Sequence, residues 1–250
     1  MTRRARAKSR KRFARVPTPI VALDVPGSHE AVRLVEELGD LCSFYKVGSE
    51  LFTSSGPAIV DYLRARGADV FLDLKLHDIP NTVERAAAAA AASGASLLTV
   101  HVAGGTEMIR AAVSGAAAGS VPARRACGVL GVTVLTSLDA ERLGVAWGRR
   151  IRSVQQEVLR LARLAADAGA RGIVCSGAEL PAVRQAFGDA LVVVVPGVRP
   201  AVGARGDQVR VVTPAAAARD GADYAVFGRA VTQAPDPARA LAALVQELVS

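Results

Sequence analysis

The segment Asp73-Leu74-Lys75-Leu76-His77-Asp78 puts two carboxylates and an ammonium group within six residues. On an extended strand, residues i and i+2 point to the same face. Asp73 and Lys75 should therefore project together from the end of the apolar run Phe71-Leu72. A lysine flanked by carboxylates keeps its proton. That suits a general acid and not a Schiff-base nucleophile, which needs a depressed pKa. Asp24 and Lys46 close two earlier apolar runs in the same way. Four charges at strand ends are costly to bury without purpose. The competing reading is a structural ion-pair network, since such networks also perturb titration. Asn81-Thr82-Val83-Glu84 has the pattern of a capping box with Asn81 as N-cap. Thr82 is then a first-turn residue or a ligand contact. His101 reads as a rim histidine, His29 as a surface residue, and His77 has no derivable role.

A second group of residues suits an anion. Val195-Pro196-Gly197-Val198-Arg199-Pro200 runs into the Gly-rich stretch Gly203-Ala204-Arg205-Gly206-Asp207-Gln208, the pattern of a mobile lid. Further on, Phe227-Gly228-Arg229-Ala230 follows an apolar run. Gly228 would let a backbone N–H approach an anion closely, and Arg229 would add a forked, permanently charged donor. Gly-Arg alone is a weak signal, and a lone Arg229 is also readable as a surface residue.

The elements that must position these groups recur along the chain. Apolar runs over Pro19–Asp24, Ser43–Val47, Asp69–Asp73, Ser96–His101, Gly128–Leu135, Gly172–Cys175, Leu191–Pro196 and Tyr224–Phe227 predict eight strands. Most are continuous rather than alternating, as for parallel strands covered on both faces. Between them, His29–Leu38, Pro57–Arg66, Thr82–Ala92, Ser153–Ala168, Glu179–Phe187, Pro214–Asp220 and Pro237–Val249 predict helices. Several close on a glycine suited to a helix C-terminus: Gly39, Gly67, Gly94, Gly169 and Gly221. Eight β-α units predict an α/β fold, a single (β/α)₈ TIM barrel. The alternative is a doubly wound open sheet, but no G-x-G-x-x-G follows the first strand. In a barrel the active site lies at the strand C-termini, and phosphate sites favour the loops after strands seven and eight. Asp24, Lys46, Asp73, Lys75, His101, Thr136, Ser137, Arg199 and Arg229 all fall there.

Composition limits the function classes. The chain has 250 residues and a formal net charge of +8. Residues 1–15 hold eight Lys and Arg and no acid; the remainder of the chain balances at 23 basic and 23 acidic residues. Residues 1–16 therefore read as a basic, disordered and solvated tail, and 17–250 as the barrel. A nucleic-acid contact is a reading of the tail alone, not of the folded body. Cys42, Cys127 and Cys175 are far apart and odd in number, which argues against a zinc site or a disulfide framework and fits a reducing cytoplasm. No apolar run reaches the roughly 18 residues that span a bilayer.

Taken together, these blocks resemble the orotidine 5′-phosphate decarboxylase family in its bacterial form. The resemblance rests on Asp73, Lys75 and Asp78 with Ile79-Pro80-Asn81-Thr82, and on Leu23-Asp24, Tyr45-Lys46-Val47-Gly48 and Val134-Leu135-Thr136-Ser137-Leu138. Pro196-Gly197-Val198-Arg199-Pro200, Gly206-Asp207-Gln208 and Gly228-Arg229-Ala230-Val231-Thr232 extend it, in family order from about residue 18 to 240. D-x-K-x-x-D alone is shared with magnesium-dependent sugar-phosphate enzymes on the same barrel, and the later blocks separate the two. The resemblance implies metal-free, cofactor-free decarboxylation of orotidine 5′-phosphate to uridine 5′-phosphate. It implies Lys75 as proton donor to C6 and Asp73 beside the scissile carboxylate. Asp24 and Lys46 would bind the ribose hydroxyls. Thr136 with or without Ser137 would contact the pyrimidine. Pro196, Arg199, Gln208, Gly228 and Arg229 would hold the phosphate end. Asp78 and Thr82 would reach across a homodimer interface into the partner's site.

Overall fold

The computed structural model describes residues 16–121, 126–200 and 212–249. The basic residues 1–15, and the predicted lid with Gln208, lie outside the described residues. Eight parallel strands close a barrel in sequential order. They are β1 (Thr18–Ala22), β2 (Phe44–Gly48), β3 (Asp69–Leu76), β4 (Leu97–His101), β5 (Gly128–Val132), β6 (Gly172–Val174), β7 (Val192–Val195) and β8 (Tyr224–Phe227). Closure, through the pairing of β1 with β8, rules out the open sheet. The fold is a (β/α)₈ barrel.

Eleven helices among the described residues link and cover the strands. They are α1 (Ser28–Leu38), α2 (Ser49–Ser55), α3 (Ala58–Ala65), α4 (Pro80–Ala92), α5 (Thr106–Gly119) and α6 (Ala140–Trp147), then α7 (Val154–Asp167), α8 (Leu180–Phe187), α9 (Pro214–Arg219), α10 (Arg229–Thr232) and α11 (Pro237–Val249). All seven sequence-predicted helices are present, with ends shifted by at most two residues. The helix-Gly-Ala-strand returns form as expected: Gly67, Gly94, Gly169 and Gly221 take positive φ, which a side chain would oppose. The expected Asn81 cap does not form. Helix α4 begins at Pro80 with Ile79 as N-cap and no side-chain cap bond. Proline is preorganised for the first helical position and needs no N–H partner there, so the start moves two residues upstream.

Period-two alternation sorts the strand residues. Ile20, Ala22, Phe44, Phe71, Leu97, Leu130, Val194, Tyr224 and Val226 form one buried cluster, the barrel interior. Residues of the other parity, such as Val21, Tyr45, Val70, Leu72, Leu98 and Val129, belong to a larger cluster with the helices. Following the inner parity upward from Phe44, Phe71 and Leu97 reaches Lys46, Asp73 and Thr99. The same alternation that fills the barrel with apolar side chains thus places polar ones at its mouth.

Candidate active site

The mouth opens on a cavity of about 630 Å³. Its walls include Asp24, Lys46, Asp73, Lys75, Thr136, Pro196, Arg199, Gly228 and Arg229, nine of the expected site residues, brought from six different β-α units. The charged groups form a chain. Lys46 donates from Nζ to Asp24 Oδ1 at 2.7 Å and lies 3.7 Å from Asp73 Oδ2. Lys75 Nζ donates to the same Asp73 oxygen at 2.8 Å. The other oxygen, Oδ1, accepts from the Thr99 hydroxyl at 3.0 Å. Burial alone would raise the Asp73 carboxyl pKa. The ammonium groups of Lys46 and Lys75, with hydrogen bonds from Lys75 and Thr99, outweigh it and hold the group below the ordinary carboxylate range. Asp73 is an anion locked between two cations.

Gly48 explains how Lys46 and Asp24 meet. A Cβ there would stand 3.1 Å from Asp24 Oδ1 and 3.2 Å from Lys46 Nζ, closer than side chains normally approach. The glycine leaves room for the pair to lie across the end of β2.

Asp73 and Lys75 do face one another, but regular strand alternation is not the cause. Leu72 pairs with Leu98 and Leu76 with Val100, so Asp73, Leu74 and Lys75 all stand opposite the single residue Thr99. Lys75 takes a φ of 49°, the one left-handed non-glycine among the described residues. A bulge re-aims the side chain. The expectation of an unbroken strand here is corrected accordingly.

Ser137, Asp78 and Thr82 are exposed and do not line the cavity of this chain. Asp78 instead accepts the Ile79 N–H at 2.6 Å. Gln208 lies outside the described residues. Thr99, Ser49 and Gln233 were not among the expected site residues. Ser49 and Gln233 line the wall, and Thr99 stands behind it. Thr99 carries a readable signal: a hydroxyl at an inward position of an otherwise apolar strand. His101 does have a partner, the His77 ring at 5.8 Å. Burial, then the neighbouring His77 and Lys75 charges, push its pKa down against the pull of Asp73.

The segment after β7 is pinned at both ends. Val198 bridges to Val212, and the Arg199 N–H donates to the Val212 carbonyl at 3.1 Å. This holds Arg199 on the wall beside Gly228 and Arg229. Arg199 and Arg229 thus line the same cavity as the lysine-carboxylate chain, an arrangement suited to a ligand that carries both an anion and a reactive group.

Comparison with known proteins identifies the family. The model of the orotidine 5′-phosphate decarboxylase / HUMPS family matches residues 17–244. A protein of Anaeromyxobacter sp. (strain K) named orotidine 5′-phosphate decarboxylase is 54% identical over 230 residues, covering 91% of this chain and 96% of the relative. One of the same name from Moorella thermoacetica is 48% identical, covering 92% and 91%. The crystal structure of orotidine 5′-phosphate decarboxylase from Lactobacillus acidophilus superposes with a TM-score of 0.84 at 36% identity, covering 94% of this chain and all of that one. On sequence, fold and coverage together, this chain belongs to the orotidine 5′-phosphate decarboxylase / HUMPS family.

Proposed function

We propose that this chain decarboxylates orotidine 5′-phosphate to uridine 5′-phosphate, the decarboxylation step of pyrimidine biosynthesis, without a metal. The observation that carries the reading is the Asp24–Lys46–Asp73–Lys75 chain in a cavity that Arg199 and Arg229 also line. The C6–carboxylate bond breaks, carbon dioxide leaves, and the electron pair stays on C6. The ring offers that pair no electron sink, so a preorganised cation must stabilise it. Lys75 supplies the cation and then its proton, giving neutral amine and the C6–H bond. Asp73 fixes the Lys75 ammonium at 2.8 Å. It also sets a negative charge beside the substrate carboxylate. Both Asp73 oxygens are already engaged, by two lysines and Thr99. A carboxylate so occupied is poorly disposed to ligate magnesium, which favours this reading over the magnesium-dependent sugar-phosphate chemistry.

The remaining roles are those that the family resemblance implies. Asp24 and Lys46 take the ribose hydroxyls, and Thr136 the pyrimidine edge. Pro196, Arg199, Gly228 and Arg229 take the phosphate end, and the resemblance assigns Gln208 to it as well. A Cβ at Gly228 would meet no atom within 4 Å, so the space above its backbone is open to a ligand. Phosphate binding, remote from C6, provides energy to assemble the site. Asp78 and Thr82 serve the partner's site in a homodimer. Their exposure fits that, as does Ile79 beside them, which is 65% exposed despite being a large apolar side chain. The proposed setting is the cytoplasm, a reading that the three buried free thiols support. The basic tail takes no part in turnover.

The test follows loss of orotidine 5′-phosphate by the purified chain with and without chelator. Turnover indifferent to chelator is expected. Turnover that disappears with chelator, or none at all, overturns the proposal.

A further inference from the structure

The bulge in β3 needs an explanation, because it puts a non-glycine residue, Lys75, at a φ of 49°. Such a backbone persists only where its surroundings over-determine it. The neighbour that does so is Thr99 on β4. Its side chain is fully buried, at 0% exposure. It stands opposite the three residues Asp73, Leu74 and Lys75, between the pairs Leu72 with Leu98 and Leu76 with Val100.

One hydroxyl makes both available kinds of hydrogen bond here. Thr99 Oγ1 accepts the backbone N–H of Lys75 at 2.9 Å. It donates its own proton to Asp73 Oδ1 at 3.0 Å. The first bond supplies the Lys75 N–H with the acceptor that a regular ladder would have provided. The second turns the Asp73 carboxylate so that its other oxygen, Oδ2, faces Lys75 Nζ at 2.8 Å. Thr99 does not line the cavity. It touches the backbone of one reactive residue and the side chain of the other.

We propose that Thr99 is a positioning residue: its hydroxyl sets the angle of the β3 bulge and thereby the placement of the Lys75 ammonium over the reacting carbon. This rests on the decarboxylase reading above, and it assigns to β4 a part in a reaction whose charged groups all lie on other strands.

Thr99→Val keeps the branched shape and removes the hydroxyl. Thr99→Ser keeps the hydroxyl and removes the methyl. The two variants separate hydrogen bonding from packing. Measured are kcat and KM for orotidine 5′-phosphate, the affinity for uridine 5′-phosphate, and the thermal midpoint. For Thr99→Val, kcat is expected to fall on the order of 10²-fold, the scale of an ångström-sized misplacement. KM and nucleotide affinity should stay within about three-fold, since ground-state binding is not lost. Thr99→Ser should recover at least about ten-fold of kcat over Thr99→Val. Wild-type kcat in Thr99→Val overturns the inference. So does a Thr99→Ser no better than Thr99→Val, or a kcat loss matched by equal loss of nucleotide affinity. Absence of turnover in the wild-type chain would overturn the decarboxylase reading and this inference together. Wild-type turnover with an indifferent Thr99→Val overturns this inference alone.

Discussion

His101 closes β4 two residues beyond Thr99 and is half-buried against His77. Burial first, then the charges of His77 and Lys75, hold its pKa below the ordinary 6.5. The folded chain therefore binds this proton less readily than the unfolded chain. Its contribution to stability is whole above about pH 6.5 and is lost as the pH falls through the depressed folded value. Asp73, also depressed, has its window lower, beginning below 3.8. The two are thus separable on a pH scale. The thermal midpoint of the wild-type chain should fall on acidification from pH 7 to 5. In His101→Gln that slope should flatten, while the steeper loss below pH 4 remains. An identical slope in the variant would show that another group titrates there. The sequence offered no partner for His101, because nothing in local spacing brings residue 77 beside residue 101. The contact exists only once β3 and β4 pair. Thr99 carries a signal in the sequence, an inward hydroxyl on an apolar strand, but its two partners, the Lys75 N–H and the Asp73 carboxylate, emerge only with the bulge in β3.

The strands were legible because parallel strands covered on both faces read as plain apolar runs, and each predicted run overlaps an observed strand. Helices were legible where apolar periodicity was long and undisturbed, as in α7 and α11. Helices α2, α5, α6 and α10 lay outside the predicted set. Three of them are short, at seven, eight and four residues. The fourth, α5, contains Gly115 and Gly119, which lower helix propensity. Packing reveals why those glycines are there. A Cβ at Gly115 would stand 2.0 Å from the Glu84 carbonyl oxygen, and one at Gly119 would stand 2.1 Å from that of Ala88. Helix α5 lies directly on the backbone of α4, whose own surface is an alanine run from Ala86 to Ala92. Ser114 donates to Glu84 at 2.9 Å across the same seam. Gly115→Ala forces the helices apart and should destabilise the fold by about 1–3 kcal/mol or more, since backbone cannot step aside as a side chain can. A lower thermal midpoint checks this. An unchanged midpoint would mean that the seam has slack. Asp78 just precedes α4 and Thr82 lies in its first turn, so the same change should also weaken any function that depends on where that end points.

At the scale of the whole molecule, the two ends of the barrel divide labour. On the side where strands begin, Arg184 is buried, bonded to the carbonyls of Gly221 and Leu191 and paired with Asp223, tying β7 to β8. On the side where strands end, the ionic chain opens to a cavity instead. The tail belongs to neither end in the proposed function. Removal of residues 1–15 should leave kcat and KM unchanged and abolish whatever salt-sensitive binding to nucleic acid the full chain has; a loss of turnover would give the tail a part in the site. The proposed exchange of Asp78 and Thr82 between subunits makes a sharper demand. In a two-fold dimer each site would draw Lys75 from one chain and Asp78 from the other. Lys75→Ala and Asp78→Asn homodimers would each lack one member at both sites. A mixed dimer would collect both lesions in one site and leave the other intact. Random co-assembly of equal amounts makes half the dimers mixed, each with one working site of two, so about a quarter of wild-type activity should return. Refolding the two inactive variants together and measuring turnover reads this directly. Activity no greater than the sum of the separate variants, in a preparation shown to contain mixed dimers, would place Asp78 outside the partner's site and leave each barrel to work alone.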